Sequence, residues 1–293
     1  MNEIVFKKTL SPEIKLYKIR APLIAKKRQA GQFVIVRLEE LGERVPLTIA
    51  DSDPEEGTIT LVVQEVGATT RKMGTYREGD GFLDVVGPLG RPTEVKKYGT
   101  VVCVGGGVGN AVVFPIAKAM KAAGNRVISI IGARTKDLLV LEDEARQVSD
   151  QLYVTTDDGS YGEHGFVTDR LAKLLQQEQD VRLVVAIGPA IMMKAVCDLT
   201  RNFDIHTIVS LNSIMVDGTG MCGACRVEVG GQTKFVCVDG PEFDGHQVNF
   251  ELLMARLRMY LPEEKKAMDA WMSRDPVGPS AAEHTSAGED DGR

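Results

Sequence analysis

The sequence predicts an α/β plus β architecture with three parts. An N-terminal antiparallel β-barrel is followed by a doubly wound parallel sheet of five strands and a small C-terminal domain with clustered cysteines. Short runs rich in Val and Ile fill the first third of the chain, and three of the five cysteines fall between positions 222 and 237. In the middle, apolar strands alternate with helical stretches. A chain of 293 residues is long enough for two or three such domains.

The barrel is assigned to residues 1–98. The runs Phe33–Leu38, Thr58–Val66 and Phe82–Gly87 have the composition of strands. Gly, Pro and Asp interrupt them, as at Asp51–Pro54 and Glu78–Gly81. Short strands at this spacing, with no long helix between them, are typical of a small antiparallel barrel.

The doubly wound domain is assigned to residues 99–210. Thr100–Val104 is a continuous apolar run, as expected of a strand that is buried on both faces. Helices are predicted over Val167–Gln177 and Pro189–Thr200, between further runs of Val and Ile. Regular alternation of strand and helix predicts parallel strands with helices on both faces of the sheet.

Residues 211–260 form the predicted cysteine-bearing domain. Short helices are expected at Phe250–Tyr260 and Glu263–Met272, and the second belongs to a C-terminal helix assigned to residues 261–274. Pro, Gly, Ser, Ala and acidic residues dominate positions 275–293, which predicts a disordered tail.

The composition is that of a soluble protein without a polyanionic partner. Hydrophobic residues make up 43% and charged residues 26%, and the net charge is −6. No basic field is available for a nucleic acid or an anionic membrane. The N-terminus lacks the apolar core of a signal peptide, and no run has the length of a membrane span. We expect a cytoplasmic protein that binds neither nucleic acid nor membrane.

The cysteine cluster has the spacing of an iron–sulfur site. Four residues separate Asp217 from Cys222, two separate Cys222 from Cys225, and Cys237 follows after eleven more. Plant-type [2Fe–2S] proteins use this spacing with Cys in the first position. A carboxylate is a harder ligand that also binds iron. The candidate metal ligands are therefore Asp217, Cys222, Cys225 and Cys237.

Two alternatives remain open at this cluster. The three cysteines with His246 match a zinc site of three thiolates and one imidazole. Asp217 precedes a glycine, where Asp often serves only to shape a turn. Cys103 and Cys197 stand apart in apolar surroundings and are predicted to be small core residues.

A glycine-rich turn between a buried strand and a helix predicts a phosphate site. Backbone N–H groups and the N-terminus of the helix converge at such a turn. Two later strands end in loops at Asp157 and Gly188, and ligands of these sheets bind beyond the carboxyl ends of the strands. The candidate cofactor-binding residues are Gly105, Gly106, Gly107, Val108, Gly109, Asp157, Asp158, Gly188 and Pro189.

Two barrel segments offer a second nucleotide site. In the first, an Arg suited to a phosphate precedes a Thr suited to a ring nitrogen. In the second, small residues and hydroxyls precede Arg71 and offer another phosphate contact. The candidate residues are Arg44, Pro46, Leu47, Thr48, Gly67, Thr69 and Thr70.

Together these motifs resemble one family over nearly the whole chain, the ferredoxin–NADP reductase-like electron-transfer subunits that accompany dihydroorotate dehydrogenase. Arg44–Thr48 is similar to their flavin motif R-x-P-[LIY]-[ST]. Gly105–Gly109 and Gly188-Pro189 are similar to their nicotinamide motifs. The resemblance implies that Arg44 faces the phosphate of FAD and that Thr48 faces the isoalloxazine ring.

Asp217 stands in place of the first cysteine, and this difference points to one group within the family. Ile214–Cys225 resembles the small subunits of NADH-dependent reduced ferredoxin:NADP⁺ oxidoreductases, also described as sulfide dehydrogenase subunits, whereas dihydroorotate dehydrogenase partners usually carry four cysteines here. The resemblance implies an oxidoreductase subunit with FAD, NAD(H) and one [2Fe–2S] cluster. It also implies a heterodimer with a larger flavoprotein that binds NADP(H), a second FAD and two [4Fe–4S] clusters. By the same resemblance, electron bifurcation is expected to occur in that partner, and ferredoxin is expected to be an indirect partner.

The expected function is hydride exchange between NAD(H) and FAD, followed by single-electron transfer through the cluster, with no catalytic acid or base. An electron-transfer subunit of dihydroorotate dehydrogenase and a redox-sensing binding module without turnover are the alternatives. Arg134 and Lys136 favour a 2′-phosphate on the nicotinamide nucleotide. Glu142 and Asp143 would repel one, and the resemblance favours NAD(H).

Overall fold

The computed structural model describes residues 2–273, so the predicted tail at 275–293 lies outside the described residues. Two seven-stranded sheets and a two-stranded hairpin make up the β-structure of this range. None of the helices between residues 2 and 273 has both the length and the apolar character needed to cross a membrane.

Residues 2–89 form the barrel. Its elements are β1 (Asn2–Ser11), β2 (Ile14–Arg20), α1 (Pro22–Lys27), β3 (Phe33–Arg37), β4 (Arg44–Asp53), β5 (Thr58–Gln64), α2 (Ala68–Thr75), β6 (Gly81–Phe82) and β7 (Asp84–Leu89). The strands are antiparallel and pair in the order β6-β1-β2-β5-β4-β3-β7. Only Leu83 separates the two edge strands β6 and β7, so the sheet curls until its edges meet and the barrel is nearly closed.

Apolar side chains at alternate strand positions fill the barrel, and Ile4, Tyr17, Ile49 and Leu61 are buried there. Tyr17 Oη donates a hydrogen bond of 2.9 Å to the carbonyl of Met73, which fastens α2 to the barrel. The sequence analysis identified β3 and β5 but missed β1 and β2, because lysines are interspersed among the apolar residues of both strands.

The doubly wound domain follows. Its elements are β8 (Thr100–Gly106), α3 (Gly109–Ala122), β9 (Arg126–Ala133), a 3-10 turn (Lys136–Leu138), α4 (Glu142–Val148), β10 (Gln151–Thr156), β11 (Glu163–His164), α5 (Val167–Gln177), β12 (Val181–Ile187), α6 (Ala190–Arg201) and β13 (Thr207–Ser210). Five parallel strands lie in the order β10-β9-β8-β12-β13, with the short β11 beside β10. The predicted doubly wound sheet of five parallel strands is confirmed, and two short edge strands extend it to seven. Strand order reverses between β8 and β12, where ligands bind in such sheets.

The remaining elements are β14 (Arg226–Val229), β15 (Gln232–Phe235), α7 (Val236–Asp239), β16 (Glu242–Asp244), a 3-10 turn (Gly245–Gln247), α8 (Phe250–Leu257) and α9 (Leu261–Met272). β14 and β15 form a hairpin. β16 instead pairs antiparallel with β13 and becomes the edge of the doubly wound sheet. The cysteine-bearing segment is therefore joined to that sheet by main-chain hydrogen bonds.

The three regions share one core. Phe33 and Ile35 of the barrel belong to the same cluster of buried side chains as Val102 of the sheet and Val236 of the cysteine segment. A Cβ at Gly218 would lie 2.7 Å from Ile35 Cγ1, so the cysteine loop lies directly on β3. Cys103 and Cys197 are both buried, as predicted.

Candidate cofactor sites

A cavity of about 890 Å³ opens where the carboxyl ends of the parallel strands meet the barrel. Its volume is within the range of ligand pockets. Phe33 of β3 lines it together with residues of β4. The predicted cofactor residues that line it are Pro46, Thr48, Gly106, Gly107, Val108, Gly109, Asp157, Gly188 and Pro189.

The glycine loop is tightly packed at some positions and open at another. A side chain at Gly109 would collide with the Ile187 carbonyl, and one at Gly106 would collide with the Met192 sulfur. Gly107 has a φ of 59°, and nothing lies within 4 Å of the position of its absent Cβ. The backbone at Gly107 is therefore open to close approach by a ligand, with the N-terminus of α3 beside it.

Asn110 lies beneath this loop. It is 2% exposed, and neither its amide nitrogen nor its amide oxygen has a hydrogen-bond partner. A Cβ at Gly105 would collide with the amide oxygen, so Gly105 shapes the loop from below and does not line the cavity. A buried amide without partners is costly unless a ligand or water completes it. Together with the open backbone at Gly107 and the N-terminus of α3, the loop fits the phosphates of a nucleotide.

The two aspartates after β10 have different surroundings. Asp157 lines the cavity, and partial burial together with the charge of Asp158 raises the pKa of Asp157. Asp158 Oδ1 accepts a hydrogen bond of 2.9 Å from the Ser160 N–H. Asp158 does not line the cavity and shapes its own turn.

β4 directs alternate residues into the cavity. Pro46 and Thr48 line it, whereas Leu47 between them packs against the barrel core. In the register with β3, Thr48 is opposite Phe33 and Pro46 is opposite Ile35. The Thr48 hydroxyl is therefore available to hydrogen-bond a bound ring.

The other barrel candidates lie around the N-terminus of α2. Thr69 Oγ1 donates a hydrogen bond to the carboxylate of Glu43, which directly precedes Arg44. This bond joins the start of α2 to the start of β4. The Gly67 N–H donates to Thr70 Oγ1 at 3.0 Å. Arg44 is exposed, and Arg71 Nε is buried without a partner. Two guanidinium groups and a helix N-terminus fit an anionic group such as the pyrophosphate of FAD.

The cysteine loop brings together two of the four predicted ligands. Cys225 and Cys237 are buried, with their Sγ atoms 3.2 Å apart. Cys222 is exposed and Asp217 is half-buried. In the part of the chain that the structure describes, no three His, Cys, Asp or Glu side chains are arranged to hold a metal ion. A complete ligand set requires Cys222 and Asp217 to turn toward the buried pair.

Asp217 organises the loop around it. Its carboxylate accepts hydrogen bonds from Thr219 Oγ1 at 2.6 Å, from the Thr219 N–H at 3.0 Å and from the Met221 N–H at 3.3 Å. These bonds lower the pKa of Asp217, and the charge of Arg44 contributes in the same direction. The predicted ligand and the flavin-motif arginine are thus close enough for their charges to interact.

The donor set fits an iron–sulfur cluster. Three thiols and one carboxylate are soft and hard ligands for iron. Gly218 and Gly220 have φ values of 82° and 89°, which let the loop turn tightly. His246 Nε2 shares a hydrogen bond of 3.0 Å with Thr200 Oγ1 on α6, so the imidazole of the zinc alternative is already engaged.

Comparison with known proteins agrees with this geometry. An "Oxidoreductase NAD-binding domain" matches residues 103–198, and an "Iron-sulfur cluster binding domain of dihydroorotate dehydrogenase B" matches residues 212–249. The "Dihydroorotate dehydrogenase B (NAD(+)), electron transfer subunit homolog" of Thermotoga maritima is 51% identical over 272 residues, which are 93% of this chain and 96% of the relative. The chain belongs to the family of dihydroorotate dehydrogenase B electron-transfer subunits.

One further relative and two solved structures show how similar this chain is to known proteins. A probable dihydroorotate dehydrogenase B electron-transfer subunit of Methanopyrus kandleri is 36% identical, and the matched region covers 73% of this chain and 79% of the relative. A solved structure of the NADH-dependent reduced ferredoxin-NADP oxidoreductase, described for flavin-based electron bifurcation, is 50% identical with a TM-score of 0.88 and covers 93% and 98% of the two chains. An Amycolatopsis cytochrome P450 reductase, at 21% identity and a TM-score of 0.58 over 70% and 68% of the chains, shares the fold alone.

As an electron-transfer subunit, the chain is an oxidoreductase component that binds NAD(H), FAD and an iron–sulfur cluster. The predicted cofactors are confirmed. The match at residues 212–249 contains all four predicted ligands, and it identifies the segment as iron–sulfur rather than zinc.

The sequence analysis missed several residues of the electron-transfer subunit that line the cavity. Ser210 ends β13, Asn212 and Ser213 follow it, and Ser213 Oγ is buried without a partner. The rule that pointed to the loops after β8 and β12 applies equally to β13 and would have identified them. Pro241, which directly precedes β16, also lines the cavity, and no local sequence pattern predicted that strand.

Proposed function

We propose that the chain is the NAD(H)-linked small subunit of an electron-bifurcating NADH-dependent ferredoxin:NADP⁺ oxidoreductase. The observation that carries this proposal is a single cavity shared by Thr48 of the flavin motif and the glycine loops of the NAD-binding domain. When bound, FAD exchanges a hydride with NAD(H) and single electrons with a [2Fe–2S] cluster. The 50% identity and TM-score of 0.88 to the bifurcating enzyme support the assignment.

In this proposal, the barrel binds FAD from two sides. Arg44 and the start of α2 at Gly67, Thr69 and Thr70 hold its phosphates. Pro46 and Thr48 orient the ring toward the cavity, while Leu47 anchors β4 in the barrel core.

The loops of the doubly wound domain hold NAD(H) in the proposed function. Gly105–Gly109 presents its backbone to the pyrophosphate, and Gly188, Pro189 and Asp157 line the same space. No acid or base is needed, because these residues act by position and by excluding water.

The cysteine loop lies one strand away from the flavin motif. The absent Cβ of Gly218 would touch Ile35, and Ile35 is opposite Pro46 in the β3–β4 register. This proximity supports electron transfer between FAD and a cluster held by Asp217, Cys222, Cys225 and Cys237.

The proposed partner is a larger flavoprotein that binds NADP(H), a second FAD and [4Fe–4S] clusters, with ferredoxin served indirectly and the complex in the cytoplasm. Met221 is 87% exposed beside Cys222, which supports a cluster that faces an acceptor. Phe250 and Leu253 of α8 are buried against their own chain. Leu252 is therefore the large apolar side chain of α8 that is exposed to a partner. The proposed domain boundaries lie near residues 98 and 210.

The test uses anaerobically purified chain. NADH should bleach a bound flavin and then produce the electron paramagnetic resonance signal of a reduced [2Fe–2S] cluster. Thr48→Val should slow flavin reduction by about tenfold or more in stopped flow. Thr233→Val, on the exposed hairpin, is the matched control and should be unaffected. Protein that carries no flavin and takes up none on reconstitution would contradict the proposal.

A role as electron-transfer subunit of dihydroorotate dehydrogenase is the second candidate, favoured by the description of the match at residues 212–249. Reconstitution with a dihydroorotate dehydrogenase catalytic subunit separates the two. NADH-linked turnover of orotate would select this candidate, and its absence beside NADP(H)-linked turnover with the larger flavoprotein would select the first.

A further inference from the structure

One end of the cavity carries a single pair of opposite charges. Among the described residues that line the cavity, Arg134 and Asp157 are the only charged ones. Two backbone hydrogen bonds join the loops that hold them: the Asp157 N–H donates to the Ala133 carbonyl at 3.1 Å, and the Asp158 N–H donates to the Arg134 carbonyl at 3.2 Å. The loops after β9 and β10 are therefore held together, and Arg134 is close enough to Asp157 for their charges to interact, although the two side chains form no ion pair.

Two other charged groups near these loops, Lys136 and Glu142, have partners of their own. The Lys136 ammonium lies 5.3 Å from the centroid of the Tyr161 ring. Glu142, which the sequence analysis credited with repelling a phosphate, accepts hydrogen bonds from Arg146 at 2.7 Å and from Tyr161 at 3.3 Å. None of these residues lines the cavity. The choice between nucleotides thus falls to Arg134 and Asp157.

In many dinucleotide-binding sheets, an acidic residue after the second strand binds the adenosine ribose. Here β9 is the second strand and Arg134 follows it, whereas the acidic residue that lines the cavity, Asp157, follows β10. A carboxylate accepts hydrogen bonds from both hydroxyls of a ribose. It repels a 2′-phosphate, which carries nearly two negative charges at neutral pH.

We propose that Asp157 restricts this site to NAD(H), by accepting the ribose hydroxyls and by repelling a 2′-phosphate of NADP(H) that Arg134 would otherwise bind. This inference rests on the proposed function, because it assumes that the cavity holds the nicotinamide nucleotide. Without the Asp157 charge, the phosphate is no longer repelled, and Arg134 can make charge-assisted hydrogen bonds to it.

The test is Asp157→Asn in the full chain with FAD and cluster. The ratio of kcat/KM for NADPH to that for NADH should rise by about 10- to 100-fold, which corresponds to about 1.4–2.7 kcal/mol. Binding of 2′,5′-ADP relative to 5′-AMP, measured by calorimetry, should shift by a similar factor without any turnover. Arg134→Ala added to Asp157→Asn should cancel the gain.

Asp143→Asn removes the same charge from α4, outside the cavity, and is the matched control. Its nucleotide ratio should stay within about twofold of the parent. Flavin content reports folding, and Asp157→Ser serves if the Asn variant loses FAD. An unchanged ratio in both Asp157 variants, an equal change in Asp143→Asn, or a parent that prefers NADPH would overturn the inference. A parent chain whose flavin neither nucleotide reduces would instead overturn the proposed function.

Discussion

Glu242 should make the stability of this subunit depend on pH near neutrality. Its carboxyl group is buried at the junction of the barrel and the doubly wound sheet, where Thr93 Oγ1 donates to Glu242 Oε1 at 2.5 Å. Burial raises the pKa of Glu242 from 4.5 to about 7, and the hydrogen bond from Thr93 opposes that rise only in part. The residue sits on β16, the strand that joins the cysteine segment to the sheet.

The sign follows from proton uptake. Between pH 4.5 and about 7 the folded chain holds a proton on Glu242 that the unfolded chain has lost. Stability is therefore fully present below pH 4.5, and it falls as the pH rises to about 7. At about 1.36 kcal/mol for each unit of pKa, the loss reaches about 3 kcal/mol above pH 7.

Glu242→Gln removes the titration and keeps an oxygen that accepts from Thr93. In urea unfolding followed by circular dichroism, the variant should match the parent at pH 5 or below and exceed it by about 2–3 kcal/mol at pH 8.5. Thr93→Val removes the donor that stabilises the carboxylate, so it should cost more at pH 8.5 than at pH 5. Parallel stability curves for parent and Glu242→Gln between pH 5 and 8.5 would refute the reasoning.

Three further predictions concern the cluster segment and assembly. Asp217→Cys should keep a [2Fe–2S] cluster but shift its midpoint potential and electron paramagnetic resonance spectrum, because thiolate donates more charge than carboxylate; unchanged values in both Asp217→Cys and Asp217→Ala would remove Asp217 from the ligand set. Gly218→Ala should cost about 2 kcal/mol or more in thermal unfolding, since φ is 82° and the methyl group would strike Ile35. Gly231→Ala, with a φ of 71° but open space around it, should cost about 1 kcal/mol, and equal losses would show that the contact is unimportant. Native mass spectrometry of endogenous material should show a heterodimer with a larger flavoprotein, and a free chain alone would contradict that.

Features that depend on local sequence were predictable, and those that depend on pairing across long separations were not. The glycine loop sits between a run of apolar residues and a helix, so Gly107 could be placed from the sequence alone. β16 pairs with β13 across more than thirty residues of loop and hairpin, and nothing near Glu242 signals that pairing. Likewise, Arg134 and Asp157 line the same cavity because backbone hydrogen bonds join two loops that lie more than twenty residues apart in the sequence.

The pairing of β16 with β13 decides how this protein can be cut or recombined. A chain that ended at Ser210 would lose the strand opposite Ile208 and Val209 and would expose their backbone groups as a new sheet edge. The cluster segment therefore cannot be exchanged as an independent unit at the domain boundary near residue 210. A chimaera that takes the cysteine loop from a relative must either keep Glu242–Asp244 of this chain or exchange β13 together with the loop. The reason is that residues after the cluster complete the sheet.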